Sequence, residues 1–164
     1  MKSFTILTLF SMLSTGFQNN VSLTNAPEET GSSVISALKK NSIEEYSALL
    51  PTLAEFHQIM DANDRLYGGF LSEAKSEFAI RYEQEIMPSV KAAFKSVIAE
   101  GNKRGINWQN VEFARVKNSG TPGQENPVQL DIVFSERGKE YTLRIQNAFI
   151  WQGQWRVTQF IELK

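Results

Sequence analysis

Apolar residues recur at helical spacing from Ser32 to Arg104, and at every second position after Ile106. In the first part Val34, Ile35 and Leu38 form a short stripe that Asn41 stops. Ser42-Ile-Glu-Glu45 has the spacing of a capping box, in which a hydroxyl takes the third amide and a carboxylate reaches back. Thr52-Leu-Ala-Glu55 repeats it directly after Pro51, so a fresh helix is expected there. Paired glycines break the pattern in a loop around Asn63–Gly69. The longest helix is expected from about Leu71 to Arg104, where Phe70, Ala74, Phe78, Tyr82, Ile86, Val90, Phe94 and Ile98 recur every four residues and Leu71, Met87 and Val97 widen the stripe. That spacing drifts slowly around a helix and makes a slanting apolar band. Pro88 removes a backbone donor and is expected to kink the helix or split it. Gly105 suits the left-handed position that ends it.

The second part predicts strands over Trp108–Lys117, Val128–Ser135, Glu140–Trp151 and Gln154–Leu163, with a loop at Asn118–Pro127. Helices followed by strands define an α+β class: helices, one of them long, packed on a curved, mainly antiparallel sheet of about four strands. A slip of one residue turns every side chain to the other face, so the apolar pattern selects the pairing. An Arg137-Gly138 turn sets Phe134 opposite Tyr141, Ile132 opposite Leu143 and Leu130 opposite Ile145. A strict two-residue turn at Gln152-Gly153 would instead place Phe149 beside Arg156. Pairing Trp151 with Trp155 removes that conflict and requires a bulge or an odd loop at the tip. In this register Asn147 faces Gln159 on the apolar side, and Asp131, Arg144 and Glu162 form one row on the other.

Composition narrows the class. The 164 residues are 41% hydrophobic and 21% charged, with net charge −1, which suits one globular domain. Such a balance excludes a fibrous repeat and a multi-span membrane protein, and gives no excess charge for holding nucleic acid. The chain has no Cys, hence no disulfide, thiol nucleophile or Cys-based metal site. Lys2, the apolar run Phe4–Leu13 and Ser14-Thr15-Gly16 have the three-part pattern of an export signal. Residues 1–16 are therefore expected to be removed, with 17–31 a disordered leader and 32–164 the domain. The ten-residue run is too short to cross a bilayer, and the mature chain is expected to carry no stable membrane span and to be secreted or periplasmic. Loss of Lys2 leaves 16 basic against 18 acidic residues, a net charge of −2.

Ser33–Lys40 with Ile43–Leu50 as early helices, Gly105-Ile-Asn-Trp108 leading into the first strand, and Tyr141-Thr-Leu-Arg-Ile145 with Gly153-Gln-Trp-Arg-Val157 at the end carry a resemblance. Over residues 32–164 the layout resembles the cystatin-like α+β cone, and within it small secreted bacterial members of the nuclear transport factor 2-like superfamily. The resemblance implies a sheet half wrapped around the long helix, with a pocket at the open end. Enzymes of the superfamily place His or Asp in that pocket, whereas the inner strand positions here carry neither. Acid–base work needs a titratable group within reach of the substrate proton. Asn147 and Gln159 can orient a ligand but cannot take a proton.

The expected function is therefore non-catalytic binding of a small apolar ligand or a protein partner. Tyr141, Asn147, Trp151, Trp155 and Gln159 would line the ligand site, with a homodimer formed through the sheet as one form of partner. The alternative is a small hydrolyase or isomerase in which His57, the only imidazole, is oriented by Asp61 one turn further along the helix. No cofactor or metal is expected, because one His with scattered carboxylates lacks a ligand spacing.

Overall fold

The computed structural model describes residues 26–118, 120, 127–158 and 160–164. Four helices precede an antiparallel sheet that curls into a half-barrel. Helix α1 spans Pro27–Lys40, α2 Ile43–Ser47 and α3 Leu53–Ala62. Helix α4 is a continuous helix of 33 residues. It is built from Leu71–Arg81, a π-helical turn at Tyr82–Ile86, and Met87–Lys103.

Each helix boundary has a local cause. α1 begins five residues before the expected Ser32, inside the segment read as a disordered leader. Pro27 at the start and Glu28 and Glu29 in the first turn suit a helix N-terminus. Packing holds the added turn in place, because Gly31 lies directly under Val116 and Phe113 of the sheet. At the other end Asn41 adopts a left-handed conformation (φ 48°) and its N–H donates to the carbonyls of Ala37 and Leu38. α2 has half the expected capping box: the Glu45 N–H donates to Ser42 Oγ at 3.2 Å, while the Glu45 carboxylate pairs with Lys40. α3 has the whole box, with the Thr52 N–H donating to Glu55 Oε2 at 2.8 Å and the Glu55 N–H to Thr52 Oγ1 at 3.2 Å.

Pro88 neither breaks α4 nor splits it. The π turn precedes it, and the Met87 N–H donates to the carbonyl of Tyr82, five residues back. A wider turn there gives the carbonyls around the proline another geometry, so helical structure runs without a break from Leu71 to Lys103.

The sheet has strands β1 (Glu112–Asn118), β2 (Val128–Glu136), β3 (Lys139–Trp151), β4 (Gln154–Val157) and β5 (Ile161–Leu163). Its order is β1-β2-β3-β4, with β5 also paired to β3. Two strand expectations change. The first strand starts later, because Trp108–Asn110 forms a 3₁₀ turn capped by the Asn107 side chain. The fourth strand divides into β4 and β5.

The first hairpin keeps the expected register: Phe134 pairs with Tyr141, Ile132 with Leu143 and Leu130 with Ile145. The last hairpin does not. Trp151 pairs with Gln154, Ile150 with Trp155 and Phe149 with Arg156, across a strict two-residue turn. Gln152 (φ 50°) and Gly153 (φ 77°) both take the positive φ that such a turn requires. The conflict of faces is removed elsewhere, inside β3. Leu130 pairs with Ile145 but Val128 with Ala148, so Gln146 and Asn147 together oppose Gln129. This bulge keeps Ala148 and Ile150 on the face of Leu143 and Ile145. It also separates the stretch of β3 paired with β4 from the stretch paired with β5.

The core lies between the inner sheet face and the helices. Leu130, Ile132, Phe134, Leu143 and Ile145 are fully buried beneath Val34, Leu38, Val90 and Phe94. The free edge, β1, carries Arg115, Lys117 and a bulge after Phe113, features that discourage pairing with another chain. Among the described residues no helix is long and apolar enough to cross a membrane.

Candidate functional site

Three chain reversals meet at one end of the molecule and form a cleft of about 310 Å³. α1 stops at Asn41, α4 stops before Gly105 (φ 78°), and the 3₁₀ turn follows at once. The Ile106 N–H donates to the Gly101 carbonyl at 2.9 Å, folding the chain back over the end of α4. The Trp108 indole N–H then donates to the Ile98 carbonyl at 3.2 Å, and Gln109 Nε2 to the Lys39 carbonyl at 2.7 Å. These bonds fasten the 3₁₀ turn to both helices. The floor is apolar, made by Leu38, Ile98, Ile106 and Trp108; the rim holds Asn41, Asn102, Asn107 and Gln109.

The rim amides are only partly engaged. Asn107 Oδ1 accepts the Gln109 N–H at 3.2 Å, and Gln109 uses its donor on Lys39. Asn41 and Asn102 are exposed, and no side-chain hydrogen bond of theirs is formed among the described residues. Lys39 brings the single charge of the lining, in the last turn of α1 where it offsets the helix dipole.

The residues expected to form a ligand site are dispersed. Tyr141 lies behind the cleft. Its ring stacks on Phe134 at 5.5 Å, Phe134 stacks on Trp108 at 5.6 Å, and Lys139 Nζ sits 5.0 Å from the Tyr141 ring centre. Asn147 lies in the β3 bulge, half-buried. Gln159 falls outside the described residues, so its expected position opposite Asn147 does too. Trp151 and Trp155 were expected to share a face; because the turn is tight, they lie on opposite faces of the hairpin. Trp155 is buried within the core, and its indole N–H has no hydrogen-bond partner.

His57 and Asp61 both lie on α3, but their side chains are committed differently. The Asp61 carboxylate takes the Lys75 ammonium of α4 at 2.5 Å. His57 Nε2 is buried and makes no hydrogen bond.

Charge is paired over much of the sheet. The outer row is present as expected: Asp131 opposes Arg144, which opposes Glu162, and Lys117 extends it on β1. Arg144 holds Asp131 through two bonds, at 2.8 and 3.0 Å. That guanidinium keeps the Asp131 carboxyl below its ordinary pKa against the opposing effect of burial. Glu55 pairs with Arg156 at 2.5 Å and joins α3 to β4. Burial alone would raise its pKa, but the Thr52 N–H, the Arg156 side chain and the Thr52 hydroxyl together lower it.

Both carboxylates are more acidic in the folded chain than in the unfolded one. Their stabilising effect is complete above the unfolded values, about 4, and is lost as pH falls through the lower folded ones. Urea midpoints measured from neutral pH to about pH 3 should therefore fall, and fall less steeply in Asp131→Asn and Glu55→Gln. Parallel curves for wild type and both variants would show that these pairs do not govern acid sensitivity.

The fold and the cleft define an α+β half-barrel with an open, amide-rimmed recess at its helix ends. Compared with known proteins, the chain matches no family model, no curated protein and no solved structure. Among the described residues no group of three or more His, Cys, Asp or Glu could hold a metal ion. The cleft is not legible in the sequence because Asn41 has a sufficient local meaning as a helix stop, and Asn102, Asn107 and Gln109 form no motif of their own. The available signal was that amides stand beside all three chain reversals.

Proposed function

We propose that the mature chain is an exported, non-catalytic binding domain of the nuclear transport factor 2-like type, and that it seats a small ligand. The observation that carries this reading is the cleft. An apolar floor, a polar rim with unused hydrogen-bonding groups and a volume of about 310 Å³ fit the lower end of small-molecule sites. The order of helices and strands supports the superfamily, and the basic, apolar and small residues at the N-terminus support export.

The proposed seat moves from the inner strand residues to the recess in front of Tyr141. Non-catalytic action is favoured because Asp131 and Glu55 are held as ions by arginines, which leaves them unsuited to giving or taking protons near neutral pH. The His57–Asp61 alternative has weaker support, since Asp61 is engaged by Lys75.

The test is nuclear magnetic resonance of the mature protein mixed with a small-molecule extract of its own cells. Saturable changes at Ile98, Ile106 and Trp108, with the bound compound recovered unaltered, are expected. Conversion of that compound, or signals unmoved by the extract, would overturn the reading.

A further inference from the structure

The recess has a chemical bias that its shape alone does not express. It lies where two helices end, and the carbonyl ends of α1 and α4 give it a partial negative potential that disfavours an anion. Lys39 offsets that potential, and the lining contains no carboxylate to hold a cation. The remaining polar chemistry is amide. Asn41 and Asn102 each offer a complete amide group, a donor and an acceptor together, from the two helix ends. Asn107 retains its Nδ2 donor and Gln109 its Oε1 acceptor, because their other halves brace the turn. Between them the floor of Ile98, Ile106 and Leu38 is apolar.

Resting on the binding-domain reading, we infer that the ligand is a neutral polyhydroxylated ring, a carbohydrate of one or two residues. A hydroxyl is donor and acceptor at once, so it answers an amide in either orientation. The C–H face of a sugar ring is apolar and lies against the aliphatic floor while its hydroxyls reach the rim. A charged ligand finds no opposite charge except Lys39, which already answers the end of α1. A wholly apolar ligand would cover rim amides without pairing them, which leaves each group so buried without the hydrogen bond it makes to water.

The experiment follows the side-chain N–H signals of Asn41, Asn102 and Asn107 and the Trp108 indole N–H. The probes are glucose and N-acetylglucosamine, with glucuronate, glucosamine and cyclohexanol as anionic, cationic and apolar comparisons. Saturable shifts confined to these signals are expected for the neutral sugars, with affinity about tenfold above each comparison probe. Asn102→Ala should weaken sugar binding about tenfold, the effect of one lost hydrogen bond, with its unfolding midpoint unchanged as the control on folding. A preference for a charged or apolar probe, or shifts located elsewhere, would overturn the carbohydrate assignment and leave a binding domain standing. Silence towards every probe and towards the cell extract would overturn both.

Discussion

Phe134→Ala is expected to destabilise the chain by about 3–5 kcal/mol, a large part of the roughly 5–15 kcal/mol by which a domain of this size is stable. Phe134 is fully buried and is the middle ring of the Trp108–Phe134–Tyr141 stack. Its removal leaves a cavity that the neighbouring rings cannot fill without leaving their positions. Trp108 is tied to Ile98 by its indole N–H, and Tyr141 is fixed by the β2–β3 register. The urea midpoint should therefore fall at an unchanged denaturant slope, and tryptophan emission should change as Trp108 loses a stacking partner. A loss below about 1 kcal/mol would mean that the stack carries little of the fold's stability.

Gly101→Ala is expected to destabilise where the usual rule points the other way. Replacing an interior helix glycine by alanine normally gains about 1 kcal/mol. Here the added Cβ would stand 2.6 Å from Trp108 Cε2 and 2.8 Å from its Nε1. The indole is a rigid plane, stacked on Phe134 and tied to the Ile98 carbonyl, so the conflict must be relieved by displacing the 3₁₀ turn or the end of α4. Overpacking of this kind costs about 1–3 kcal/mol, which outweighs the gain in propensity. The sign is the discriminating result: a higher midpoint would show that the turn moves freely, and a lower one that Trp108 is anchored. The same displacement should also weaken any ligand at the cleft, because Trp108 forms part of its floor.

Local patterns revealed the architecture well, since each is written in neighbouring residues. The Thr52–Glu55 box, the stop at Asn41 and the Arg137-Gly138 hairpin depend only on short-range chemistry, and the register of β2 on β3 then follows from which residues must be inside. The bulge at Gln146-Asn147 was correctly required but wrongly placed. Apolar alternation demanded one change of phase between Ile145 and Val157, and it did not distinguish a bulge within the strand from a longer turn. The cost of that ambiguity fell on the site, because the error put Trp151 and Trp155 on one face. The cleft belongs to tertiary structure: Asn41 is far in the chain from Asn102 and Gln109 and comes beside them only when the two helices end side by side.

The π turn of α4 also acts as a phase adjuster. Residues spaced by four advance around an α-helix, so an uninterrupted stripe would in time rotate off any one neighbour. A single wider turn takes back part of that rotation. Upstream of it Phe78, and at its first residue Tyr82, lie against Phe56 of α3, with ring centres 4.8 and 6.0 Å away. Downstream, Phe94 lies 5.3 Å from Tyr46 of α2, in the core beneath the sheet. One helix thus serves two walls, each half set to its own partner, and the two contacts can be altered separately without changing the length of the rod that joins them.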